Sequence, residues 1–117
     1  MTNKHEYRKQ DYLLDIIESI SLIEEYINGY SFEQFSEDTA KQDSVIRRLT
    51  IIGEAAKNLP ENFTVLYPEV DWGKAVGMRN YLVHEYFGVS LKIIWNVAVN
   101  ILPNFKKQIE KILKDLG

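Results

Sequence analysis

The stretch Asp43–Leu59, DSVIRRLTIIGEAAKNL, carries a helical period and little else. Val45, Leu49, Ile52, Ala56 and Leu59 recur at steps of three and four, which places them on one apolar helix face. Pro60 cannot continue the pattern, so the spacing predicts a helix from near Asp38 to just before that proline. Gly53 lies inside it, where glycine costs about 1 kcal/mol relative to alanine. Close approach of a second helix is the expected compensation. Beside the apolar face runs a polar stripe of Asp43, Arg47, Thr50 and Glu54. It reads either as a solvated face with an Asp43–Arg47 pair worth a few tenths of a kcal/mol, or as support for a site.

The same period extends outward. Leu13, Ile16, Ile17, Ile20, Ile23 and Ile27 form a stripe that predicts a helix over Lys9–Ile27, stopped by Asn28-Gly29. A loop over Tyr30–Glu37 has room for one helical turn at Ser31–Phe35. Pro60–Pro68 is a connection with a short turn near Asn62–Tyr67. Asp71 is placed to cap a third helix opening at Trp72 and ending at Gly88 or the Val89-Ser90 pair. Ser90 caps a fourth, whose stripe runs from Leu91 to Leu116, with Pro103 inside it to kink or split it. No segment reads as a β-hairpin. The expected fold is all-α, an antiparallel bundle of four long helices in one domain over residues 1–117, the fourth kinked at Pro103.

Composition narrows the function classes. At 117 residues the chain supports one core, and 45% hydrophobic with 26% charged residues is the balance of a globular domain. The sequence has no cysteine, which removes thiolate zinc sites, disulfides and cysteine nucleophiles. The amino-terminal MTNKHEYRKQDY lacks a signal-peptide core, and no apolar run approaches a membrane span. A cytoplasmic protein without membrane partners is the expectation. A net charge of −3 argues against gripping long nucleic acid through a broad basic face, but not against contacting a few phosphates in a cleft.

Chemistry concentrates in Met78–Phe87, MRNYLVHEYF, where Arg79, Asn80, His84 and two tyrosines interrupt an apolar segment. On a helix at 100° per residue, Arg79, Val83 and Tyr86 share one face and Asn80 and His84 another. Arg79 and His84 are then ~140° and ~7.5 Å apart, too far for a tight pair but suited to flank a groove. Burying such groups is costly unless they are bonded. One reading is structural: His84 bonds Asn80 or a carbonyl, and Arg79 pairs with Glu85 or Glu54. The other is an anion site, with arginine for phosphate charge, histidine for proton transfer near neutral pH and asparagine for orientation.

Arg79-Asn80-Tyr81-Leu82-Val83-His84-Glu85-Tyr86 resembles the Arg-x4-His-x-Tyr motif of the HEPN superfamily, specifically its HepT-like ribonuclease toxins. The resemblance extends to DSVIRRLTIIGEAAKNL, DWGKAVGMRNYLVHEYFGVS and IIWNVAVNILPNF, in order and spacing. It implies a metal-independent endoribonuclease of a toxin–antitoxin system, in which the motifs of a homodimer face one another across the two-fold axis. It also implies a minimal nucleotidyltransferase antitoxin of the MntA type, which attaches AMP to the motif tyrosine, here Tyr86.

RNA supplies its own nucleophile, the 2′-OH, so such an enzyme needs a base, an acid and charge stabilisation. His84 suits the first two and Arg79 the third, while Asn80 either orients His84 four residues on or contacts the ribose. Arg47 and Glu54 are supporting candidates, Arg47 adding charge toward RNA and Glu54 bonding a motif side chain. One motif histidine without clustered carboxylates is too few ligands for a metal, and no cofactor is called for. The expected product ends are a 2′,3′-cyclic phosphate and a 5′-hydroxyl, from an RNA such as tRNA or mRNA. The alternatives are a non-catalytic HEPN-type module that docks a nucleotidyltransferase or nucleic acid, and a helical assembly subunit whose polar stretch fixes an interface.

Overall fold

The computed structural model describes residues 8–117; most of the amino-terminal segment read against a signal peptide lies outside the described residues. The described residues are helical and contain no strand. Helix α1 spans Lys9–Ile27, α2 Phe32–Ser36, α3 Thr39–Asn58, α4 Glu61–Thr64 and α5 Trp72–His84. A 3-10 turn, Tyr86–Gly88, follows, then α6 at Leu91–Asn96, a π-helical turn at Val97–Ile101 and α7 at Leu102–Leu116.

Local chemistry accounts for most of these boundaries. Gly29 takes up φ +78° just after α1, a left-handed conformation that costs glycine nothing. Ser31 and Gln34 exchange reciprocal bonds at the start of α2, Ser31 N–H to Gln34 Oε1 at 2.9 Å and Gln34 N–H to Ser31 Oγ at 3.1 Å. Asp38 accepts from the Lys41 amide at 3.0 Å and Asp71 from the Lys74 amide at 2.9 Å, so carboxylates cap α3 and α5.

Helix α1 packs on α3 and α7, and α3 packs on α5. Leu13, Ile16, Ile20 and Ile23 of α1, Val45, Leu49 and Ile52 of α3, and Ile109 and Ile112 of α7 close the core with Ile94 and Phe35. Helix α5 is different. Its one fully buried side chain is Leu82, so it rides on α3 at the edge of the bundle. That edge position leaves its outer flank open.

Two of the sequence expectations are corrected. The third helix stops at His84, not at Gly88 or beyond. Glu85 leaves helical geometry at φ −115°, ψ 31°, and the Ser90 amide donates to the Tyr81 hydroxyl at 2.8 Å, drawing the chain back toward α5. The fourth helix is not a single kinked rod. Pro103 sits in the first turn of α7, and the disruption falls one turn earlier, in the π-helical Val97–Ile101. Proline offers no N–H to the carbonyl of residue 99 and crowds it sterically, so the ladder accommodates an extra residue ahead of the ring.

Candidate active site

Gly53 fixes where the motif sits. A Cβ there would collide with the Cβ of Arg79 and lie 2.7 Å from the Ala75 carbonyl oxygen, so α3 and α5 approach this closely only because the position is glycine. The seam sets the base of the Arg79 side chain against α3, one residue from Glu54.

Arg79 Nη2 meets Glu54 Oε1 at 2.7 Å, and Nη1 donates to Asn80 Oδ1 at 2.9 Å. The two side chains of the ion pair are 21% and 39% exposed, so the pair lies at the rim of the seam, open to solvent on one side. The arginine's Nε is buried without a partner. Two of five N–H groups are engaged, and the remaining Nη hydrogens face no protein acceptor among the described residues. Glu54 and Asn80 therefore hold the guanidinium plane without consuming its capacity for an anion.

His84 closes α5 and is exposed. Its imidazole makes no hydrogen bond or ion pair with any described residue, so the structural reading in which Asn80 or a carbonyl satisfies it does not hold. Asn80 turns to Arg79 instead. The early end of α5 also moves Tyr86 off the helical phase that put it on the arginine's face. Tyr86 begins the 3-10 turn, 54% exposed, and with Val83 and Leu82 it walls a shallow depression whose other side is Asp43, Ile46, Arg47 and Thr50 of α3. The polar stripe of α3 thus splits in two. Glu54 reaches Arg79, while Asp43, Arg47 and Thr50 face the tyrosine.

Arg47 is exposed and forms no ion pair; the Asp43–Arg47 bridge expected from their spacing is absent among the described residues. What sequence reasoning missed is Phe87, fully exposed beside Tyr86 with ring centroids 5.4 Å apart at 80°. Its place in an apolar-looking run concealed it. No three His, Cys, Asp or Glu side chains cluster at metal-ligand spacing among the described residues, and no described helix is long and apolar enough to cross a membrane.

Residues 16–112 match the family model described as "Ribonuclease HepT-like". Over 105 residues the chain is 45% identical to "Probable ribonuclease HepT" of Thermococcus cleftensis, covering 90% of this chain and 96% of that one. It is 44% identical over 105 residues to "Putative RNase MJ0127" of Methanocaldococcus jannaschii, covering 90% and 87%. It is 41% identical over 103 residues to "Putative RNase TTE0752" of Caldanaerobacter subterraneus subsp. tengcongensis, covering 88% and 92%. No solved structure matches the chain.

Proposed function

This chain belongs to the HepT-like ribonuclease family, and from that premise we propose that it is a metal-independent endoribonuclease toxin that cuts RNA by attack of the 2′-OH on the adjacent phosphate. The observation that carries the reading is the contrast between its two motif side chains. Arg79 is oriented by Glu54 and Asn80 with donors to spare, while His84 on the same helix is exposed and unbonded. An arginine so held can stabilise charge growing on the phosphoryl oxygens, and a free imidazole can take the 2′-OH proton and return one to the 5′-oxygen. Because the nucleophile is already in the substrate, no metal hydroxide has to be generated. The products are then a 2′,3′-cyclic phosphate and a 5′-hydroxyl.

One protomer offers one motif histidine, His84, whereas a reaction in which base and acid act together uses two. A homodimer with the α5 motifs opposed across a two-fold axis supplies both. Regulation falls to Tyr86, whose exposed ring borders Arg47. A nucleotidyltransferase antitoxin of the MntA type that transfers AMP from ATP to this hydroxyl, releasing pyrophosphate, places a phosphate and an adenine at the mouth of the cleft, where they exclude RNA.

The test is cleavage of RNA by the purified chain with end-group analysis. Arg79→Ala and His84→Ala should each abolish cutting in folded protein, and EDTA should leave the wild type active. Activity lost to EDTA and recovered with zinc or magnesium defeats the mechanism. Co-expression with the antitoxin should add the mass of one or more AMP units at Tyr86, and Tyr86→Phe should escape it. Unmodified chain from neutralised cells points instead to inhibition by complex formation.

A further inference from the structure

We infer that Phe87 is a base-stacking residue, one that holds an unpaired nucleotide of the RNA beside the phosphate being cut; the inference rests on the ribonuclease reading above. The other four phenylalanines of the chain are used conventionally. Phe35, Phe63 and Phe105 are 0, 3 and 8% exposed, and Phe32 packs edge-on against Trp95. Phe87 is 100% exposed. Leaving a phenylalanine in water forgoes roughly 1.5–3 kcal/mol of burial, and nothing in the protomer offsets it.

The segment that carries the ring is nevertheless held in place. Its backbone is in the 3-10 turn Tyr86–Gly88, closed by the Gly88 amide donating to the Glu85 carbonyl at 2.9 Å. The T-shaped contact with Tyr86 leaves the Phe87 ring fully exposed. Beyond the turn, the Ser90 amide is tied to the Tyr81 hydroxyl at 2.8 Å. Three residues of chain separate position 87 from His84, a span of at most ~11 Å, on the order of one or two nucleotides from the scissile phosphate.

What surrounds the ring chooses the occupant. His84, Glu85 and Gly88 are exposed neighbours in sequence together with the apolar Val83 and Tyr86, and Asn80 is exposed one turn before His84 on α5. Two adjacent exposed aromatic rings, Tyr86 and Phe87, on the turn that follows the exposed His84 have the composition of a single-stranded nucleic-acid site, in which stacking and phosphate contacts share the work. The chemistry asks for the same thing. In-line attack by a 2′-OH requires the backbone to leave helical geometry, and a base drawn out onto a ring beside the phosphate permits that.

The experiment compares wild type, Phe87→Ala, Phe87→Leu and Phe87→Trp on an RNA whose cleavage position has been mapped. Each is also run on RNAs with single abasic nucleotides flanking that position, and its sedimentation is recorded. Phe87→Ala and Phe87→Leu should lower kcat/KM ~5- to 150-fold, which is about 1–3 kcal/mol per stacked base at 1.4 kcal/mol per decade. Phe87→Trp should recover the loss. On one abasic substrate, Phe87→Leu and wild type should become indistinguishable, since the stacking partner is gone. A fully active Phe87→Leu, or a loss that persists with every abasic RNA, overturns stacking and leaves the ribonuclease reading intact. Loss accompanied by a smaller sedimenting species makes the ring an anchor between copies of the chain, which also overturns it. A wild type that cuts no RNA removes both readings together.

Discussion

At the scale of the residue, the site depends on how one guanidinium is shared. Arg79 spends one donor on Glu54 and one on Asn80, and its planar fork lets it do so while others point outward. A lysine cannot replicate this, because one ammonium is drawn wholly toward the Glu54 carboxylate. Arg79→Lys is therefore expected to keep the fold and lose ~10²–10³-fold in kcat, the scale of removing a preorganised donor aimed at transition-state charge. Because the Arg79–Glu54 pair is open to solvent, its breakage should cost no more than about 1 kcal/mol in folding. Urea titration beside single-turnover cleavage separates the two quantities. A large stability loss with proportionate activity would reduce the arginine to a structural strut. The pairing of Glu54 with the motif was legible in the sequence from the glycine beside it. The preference of Asn80 for Arg79 over His84 was not, since a step of four on a helix favours the histidine and only the rotamer of the arginine decides otherwise.

At the scale of the element, the seam between α3 and α5 carries the arginine, so its closeness can be perturbed without touching the chemistry. Gly53→Ala introduces a methyl group into space held by the Arg79 side chain and the Ala75 carbonyl, whose oxygen would be 2.7 Å away. The backbone cannot yield there as a flexible side chain can. Overpacking of this kind costs roughly 1–3 kcal/mol, and separating the helices should also reduce cleavage by more than the unfolded fraction explains. A Gly53→Ala protein as stable and active as wild type would show that the helices do not need this distance. A second element-scale dependence lies at the α2–α3 link, where Asp38 caps α3. The Lys41 amide and then the Tyr30 hydroxyl, at 2.8 Å, hold the Asp38 carboxyl below its ordinary range. The stabilisation is present above the unfolded value and lost as pH falls through the lower folded one, so acid should weaken wild type more than Asp38→Asn. Unfolding midpoints of the two between pH 7 and 3 should converge on acidification; a constant gap would remove Asp38 from the account. At Asp38 only the nearby helix start was read; the caps at Asp71 and Ser90 were legible because each is a side chain acting on an amide three residues on. The end of α5 was not, because it is set by a tertiary bond from Ser90 to Tyr81 that no periodicity encodes.

At the scale of the whole molecule, the bundle is arranged so that its chemistry lies on its least buried long element. Helices α1, α3 and α7 enclose the core, while α5 contributes one fully buried residue and leaves His84, Val83 and the following Tyr86 exposed. The sequence showed which residues were expensive to place there but not that they would lie at an edge, because α5 reads as apolar enough for a core helix. On the proposed mechanism this edge helix bears half of an acid–base pair, and a two-fold axis through it would bring the second motif histidine into the same cleft. That arrangement has a quantitative consequence. Suppose wild-type chain is mixed with a ninefold excess of His84→Ala chain and allowed to exchange subunits. Only ~10% of the wild-type chains then remain paired with wild type under random two-fold pairing. If the cleft needs both histidines, cleavage per wild-type chain should fall to about a tenth of its unmixed value. If each protomer cuts alone, the rate should not change. Dilution toward monomer before the assay supplies the independent check, since a composite cleft must lose activity as the dimer dissociates, and a stable monomer with full activity would rule it out.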